Sequence, residues 1–279
     1  MPGDGGLELV RCEFVGNVAN ASFGGAIHLD HPGHVLPEDC VLMGNLASDG
    51  GAIDSDFCDL RPVRCLLSGN SAVWEGGARS VYTGQLLLES CTVIRNLSMA
   101  SPPGEGAGGL HLQFPAVRIV DSIVSGNCSS DVSEVYIGYG TLTISCSAIP
   151  RSGVEERIPG RITWETEPVE SDPLFCAPTG CPTDFAPLSG GDYRLRSDSP
   201  CLARFSPCGR TIGVYGEGCA APEPVGACCV ADTCRLLPAS GCGGAGGTYE
   251  GDGTSCFPDP CDGTPTVPTS WGRIKASFR

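Results

Sequence analysis

Cys65-Leu66-Leu67-Ser68-Gly69-Asn70-Ser71-Ala72-Val73-Trp74-Glu75-Gly76-Gly77-Ala78 is one copy of a repeat on which the first half of the chain is built. The same order of cysteine, apolar residue, Gly-Asn and Gly-Gly returns as Cys12, Phe14, Gly16-Asn17, Gly24-Gly25, and as Cys40, Leu42, Gly44-Asn45, Gly50-Gly51. A fourth copy reads Cys91, Val93, Arg95-Asn96, Gly108-Gly109, and a fifth keeps Val124 and Gly126-Asn127 with Ser122 in the cysteine slot. The asparagines Asn17, Asn45, Asn70, Asn96 and Asn127 are separated by 28, 25, 26 and 31 residues, a period that signals stacked repeats rather than one globular core.

Apolar residues alternate with others in short runs, as in Leu7 and Leu9, then Cys12 and Phe14, then Ile27 and Leu29, which is strand periodicity without a helical stripe. Two or three inward residues bury nothing alone, so each unit must stack on the next and share a core of equivalent positions. Inward rows read down the repeats as Cys12/Cys40/Cys65/Cys91, as Phe14/Leu42/Leu67/Val93/Val124, and as Ile27/Ile53/Ala78/Leu110. Glycine and asparagine tolerate the left-handed backbone angles of tight corners. Asparagines stacked at one corner can also hydrogen-bond from unit to unit, as amide ladders do in stacked sheets. A leucine-rich repeat is the competing solenoid at this period, but it needs more leucine and lacks Gly-Gly after the asparagine.

Phe14-Val15-Gly16-Asn17 and Gly24-Gly25-Ala26-Ile27 resemble the FxxN and GGAI repeats of chlamydial polymorphic membrane proteins, and more broadly the right-handed parallel β-helices of the pectin-lyase type. The resemblance covers residues 7–149 and implies an all-β fold, a right-handed parallel β-helix followed by a small disulfide-rich module. It implies little about activity, because that fold carries lyases, hydrolases, adhesins and passive stalks.

The 279-residue chain has a formal charge of −15, which argues against nucleic acid, whose phosphates need a basic face. Eighteen cysteines point to an oxidising compartment, hence an extracellular or cell-envelope location. Met1 to Gly6 offer no signal peptide, so a truncated chain with further upstream repeats is expected. No stretch reads as a transmembrane segment.

Four segments are expected: repeats over 1–150, a terminal coil or cap over 151–221, a Cys-rich module over 222–262, and a linker with a C-terminal tail over 263–279. Trp164 reads as an apolar plug over the end of the core, or alternatively as a sugar-stacking platform. Asp172-Pro173-Leu174-Phe175, Asp192-Tyr193-Arg194-Leu195, Ser199-Pro200-Cys201 and Ile212-Gly213-Val214-Tyr215 resemble the closing segment of secreted bacterial β-helix proteins, which usually ends the rod. Cys176, Cys181, Cys201, Cys208 and Cys219 are odd in number, so one stays free or pairs with the repeats. Cys228, Cys229, Cys234, Cys242, Cys256 and Cys261 lie in a stretch with almost no core to bury, and a disulfide framework is expected, with zinc as the alternative. The tail carrying Trp271, Ile274 and Phe278 reads as a sorting or anchoring signal, or as a frayed terminus.

If Ile27 and Leu29 point inward, His28 points out, and the matching positions are read as Asp54, Arg79 and His111. Asp30 and Asp56 lie two residues further on the same face, and together these six form a candidate ligand-binding stripe. The plainer reading is a solvated sheet face, since Val81 and Gln113 interrupt the row. No residue is assigned a catalytic role, and no metal or cofactor is expected. The function expected is a non-catalytic secreted or surface protein, a stalk, adhesin or glycan-binding rod whose partner is a polysaccharide or envelope component. The alternative is a polysaccharide lyase or glycoside hydrolase using His28, Asp54, Asp56, Arg79 and His111, with calcium only under the lyase reading.

Overall fold

The computed structural model describes residues 6–30, 32–99, 106–129, 134–183, 188–231, 233–257 and 259–261. The linker and the tail from Trp271 to Phe278 fall outside them, as does His31. The chain divides into two compact units, Met1–Ala220 and Ala221–Arg279.

The regular structure of the first unit is almost entirely strand, and its repeats form four parallel sheets that the chain visits in rotation. One circuit runs through Gly33–Glu38 in the first sheet, Val41–Met43 in the second, Leu46–Ala47 in the third and Ile53–Ser55 in the fourth. The next circuit begins at Cys58–Leu60, paired in parallel with Gly33–Glu38. Each strand therefore bonds to its equivalents in the preceding and following circuits, as the sequence period requires. The stacking runs past Pro150: Val154–Glu156 pairs with Val135–Ile137, and Ile162–Trp164 pairs with Thr141–Ser145. Trp164 packs against the end of the core, and the Arg151 guanidinium lies 4.5 Å from its ring centroid.

The inward cysteine and Leu42/Leu67/Val93 rows lie in one continuous core. Cys40, Cys65 and Cys91 are buried, and each thiol donates weakly to backbone carbonyls, as Cys40 does to Leu9 at 3.2 Å. At the Gly-Asn corner the asparagines make a continuous ladder. Asn45 Nδ2 donates to Asn70 Oδ1, Asn70 Nδ2 to Asn96 Oδ1, and Asn96 Nδ2 to Asn127 Oδ1, each at 2.8 Å. Asn17 joins the ladder from one end, donating to Asn45. The Glu134 carboxylate ends it, accepting from Asn127 Nδ2 at 2.7 Å and from the amide of Gly126 at 2.8 Å. In the first three copies the first glycine of the Gly-Gly pair takes a left-handed conformation: Gly50 has φ +61°, and a Cβ there would lie 2.3 Å from the carbonyl oxygen of Ile53.

Residues 172–219 do not simply end the stack. Phe175–Ala177, Asp192–Arg196 and Glu217–Cys219 form their own three-stranded sheet. Phe175, Tyr193, Leu195, Leu202 and Ile212 cover Leu66, Ile94 and Ile123, apolar residues on the outer face of the second sheet. The Tyr193 hydroxyl bonds to the Ser68 hydroxyl at 2.5 Å, and the amide of Val214 donates to Thr92 Oγ1 at 3.1 Å. Disulfides Cys128–Cys181 and Cys146–Cys208 tie this flap to repeat cysteines, and Cys176–Cys219 closes it on itself. Both sequence expectations for the odd cysteine are thus met at once: two flap cysteines pair with the repeats, and Cys201 stays reduced in the apolar layer.

The second unit holds an antiparallel sheet of Val225–Val230, Thr233–Pro238 and Thr248–Tyr249 with one short helix, Ala239–Gly244. Its cysteines pair as Cys228–Cys242, Cys229–Cys261 and Cys234–Cys256. Cys234, Asp259 and Cys261 come together, but both sulfurs are committed to disulfides, so neither is the thiolate that zinc would need.

Candidate functional site

The outward row of the fourth sheet runs His28, Asp54, Ser80, His111, Tyr136 and Glu155. Arg79 is not in it. Arg79 pairs with Ile53 and Leu110, points into the core and is only 1% exposed, so its place in the expected stripe belongs to Ser80. The same one-residue correction moves Val81 inward, opposite Ser55 and Leu112, and replaces Ala78 by Arg79 in the core row. The error has two physical sources. An arginine in a core slot violates the apolar pattern, so Ala78 is the natural choice. The fourth copy also shifts its Gly-Gly by one, since Ala107 follows Gly76 in the stack and Gly108 follows Gly77. Counting from Gly-Gly there puts the strand out of register.

His28, Asp30, Asp54 and Asp56 do come together. With Phe23, Asp49, Trp74, Glu75, Ser80 and Tyr82 they line a groove of about 490 Å³. Asp54 and Ser80 are more than nine-tenths buried and form its floor, while Phe23, Trp74 and Tyr82 are each about half exposed. His28 Nδ1 lies 3.0 Å from Asp54 Oδ2, and the Phe23 and His28 rings stack with centroids 5.7 Å apart. Burial pushes the Asp54 carboxyl up to about 6, and Asp56 and Asp49 add repulsion while His28 opposes the shift. Burial also raises Asp49. Among the described residues no arginine or lysine lines the groove.

His111 keeps its place in the row but not in the groove. Its side chain is fully buried, 3.2 Å from the Glu75 carboxylate and stacked on Tyr136 with centroids 5.0 Å apart. It reaches the groove only by holding Glu75. His34 sits in the strand Gly33–Glu38, 3.4 Å from Asp59.

Reading strands alone missed Phe23, Asp49, Trp74, Glu75 and Tyr82, because these lie in the corners before and after the fourth sheet, where period-two alternation does not operate. A signal was available nonetheless. Phe23, Asp49 and Glu75 each directly precede the first glycine of a Gly-Gly pair, so aligning the copies stacks all three.

Tyr82 also meets Phe114 edge-on, with centroids 5.2 Å apart, and Phe114 stacks on Tyr139 at 5.1 Å. The Phe114 and Tyr139 rings are nearly parallel, and the Arg157 guanidinium lies 5.2 Å from the Tyr139 centroid. The facing surfaces of Phe114 and Tyr139 are therefore already occupied.

Buried Arg79 lies beneath the groove. Its Nη2 donates to Ser55 Oγ at 2.8 Å, whereas Nε and Nη1 have no partner. Burial pushes the guanidinium down to about 9, against the opposing fields of Asp54 and Cys58. It cannot reach a bound molecule as a base. Nor do the groove carboxylates gather as a cation site, since among the described residues no three of them bring ligand oxygens within 4.8 Å of one another. No described helix is long and apolar enough to cross a membrane, which says nothing about membrane-crossing strands. No protein-family model, curated protein or solved structure matches the chain.

Proposed function

We propose that the first unit is a right-handed parallel β-helix of the pectin-lyase-like kind and that the protein is an extracellular or envelope-attached glycan-binding rod. Six disulfides support the oxidising location. The observation that carries the glycan reading is the groove, in which half-exposed Phe23, Trp74 and Tyr82 stand over a floor with carboxylates and a hydroxyl. Apolar ring faces beside a few convergent polar groups suit a sugar, which has both C–H faces and hydroxyl edges.

The charge of the groove selects among glycans. A polyuronate would bring anions to a site lined by five carboxylates and no arginine or lysine. A polyuronate lyase would also call for an arginine or lysine base beside calcium-binding carboxylates, whereas Arg79 lies in the core and among the described residues no three groove carboxylates converge. One observation favours a second reading as glycoside hydrolase: Asp54, at about 6, lies in the range of a general acid and has Asp56 beside it.

Isothermal calorimetry against neutral and acidic oligosaccharides, with product analysis of the same mixtures, separates these readings. Binding without turnover that Trp74→Ala abolishes supports the rod. Turnover lost in Asp54→Asn moves the assignment to a hydrolase, and the absence of any glycan binding rejects both.

A further inference from the structure

We infer that the ligand of this groove carries an ammonium group, and that among glycans it takes amino sugars with unsubstituted amines, such as glucosamine oligomers. The inference rests on the glycan reading and narrows it. Three features of the groove bear on it independently.

The first is electrostatic. Asp49, Asp54 and Asp56 all line the groove, and Asp56 and Asp49 repel the Asp54 carboxylate, adding to the effect of its burial. The one basic side chain lining the groove is His28, already paired with Asp54. An entering cation relieves repulsion that the fold leaves in place, and it does so in partial shelter from water, where Coulomb attraction is several-fold stronger than in bulk.

The second is the aromatic wall. Trp74 and Phe23 present ring surface beside the carboxylates, and an ammonium over a ring face gains cation–π attraction in addition to ion pairing. A neutral sugar uses the same rings for C–H contact but makes no use of the charge.

The third is Ser80. It is more than nine-tenths buried and lines the groove floor. It sits one strand from Asp54, where it can take up a hydroxyl or ammonium hydrogen adjacent to the charge.

The test compares hexamers of glucosamine, N-acetylglucosamine and β-1,4-linked glucose by calorimetry at low ionic strength and pH 7.5. The glucosamine hexamer is expected to bind at least tenfold more tightly than either neutral hexamer, and Asp56→Asn is expected to remove that preference. Trp74→Ala is expected to weaken all three. Glu167→Gln, an exposed acid elsewhere in the unit, controls for diffuse attraction to an acidic protein and is expected to change nothing. Equal or tighter binding of a neutral hexamer overturns the inference and leaves the glycan reading standing. A loss in Glu167→Gln as large as in Asp56→Asn overturns it as well. Failure of all three hexamers to bind removes the glycan reading along with it.

Discussion

His28 and Asp54 face each other across one step of the fourth sheet, Nδ1 to Oδ2 at 3.0 Å, and yet Asp54 holds its proton more tightly than an ordinary aspartate. Burial and the neighbouring Asp56 and Asp49 outweigh the imidazole. The consequence for stability has a definite sign. Between the ordinary value of 3.8 and about 6 the folded protein keeps a proton that the unfolded chain has released, so raising the pH through that window destabilises the fold.

Asp54→Asn should therefore gain on the parent as the pH rises from 4 to 7, by about 1–3 kcal/mol, the upper figure being two pKa units without the lost His28 contact. Thermal melts of both proteins over this range measure it. A constant difference across the range would mean that Asp54 titrates normally.

The asparagine ladder predicts a different pattern. Asn70 accepts from both the amide and Nδ2 of Asn45, and its own Nδ2 donates to the Leu42 carbonyl and to Asn96. All of these groups are buried or nearly so, and Asn70→Ala should cost about 1–3 kcal/mol by leaving them unpaired. Asn70→Asp is isosteric and keeps the acceptor, but it cannot donate to Leu42 or Asn96, so it should also destabilise at neutral pH. If the aspartate variant melts like the parent, the donor half of the ladder contributes nothing.

The ladder and the stacking of parallel strands were legible because both depend on identical residues at identical places in successive circuits, and a sequence displays such identity directly. The register of the fourth sheet was not legible at Arg79, where a core position holds a charged residue and the nearest apolar neighbour is one place away. The groove was half legible. His28, Asp54 and Asp56 follow from strand alternation, whereas Trp74 and Tyr82 depend on how corners project, which two-fold periodicity does not encode. The flap was read as a terminator because its sequence says that it is apolar on one face and not which surface that face covers.

Cys146–Cys208 links residues 62 apart and fastens the flap over Leu66, Ile94 and Ile123. Replacing both cysteines by serine should cost about 2–4 kcal/mol through the freed loop alone. Lifting the flap should also expose apolar surface, read as increased binding of a hydrophobic dye before the main transition. Unchanged dye binding would indicate that the apolar layer holds the flap without the bridge. Peptide mapping without reduction checks the remaining pairs, including Cys228–Cys242, Cys229–Cys261 and Cys234–Cys256.

Arg79 gives the sharpest test of the register. A guanidinium whose Nε and Nη1 have no partner is expensive to bury, and the single bond to Ser55 recovers little of the lost hydration. The aliphatic part of the side chain nevertheless fills a core position stacked between Ile53 and Leu110. These two contributions can be separated by substitution. Arg79→Met keeps most of the volume and removes the charge, and it should leave stability unchanged or raise it by about 1–4 kcal/mol. Arg79→Ala opens a cavity among Ile53, Leu110 and Val81 and should lower stability by about 2–5 kcal/mol. An outward-facing Arg79 predicts something else, namely that both substitutions lie within about 0.5 kcal/mol of the parent, as surface changes generally do. Chemical denaturation of the two variants distinguishes these outcomes: a methionine variant at least as stable as the parent beside a weakened alanine variant places Arg79 in the core, and two near-neutral variants return it to the surface stripe.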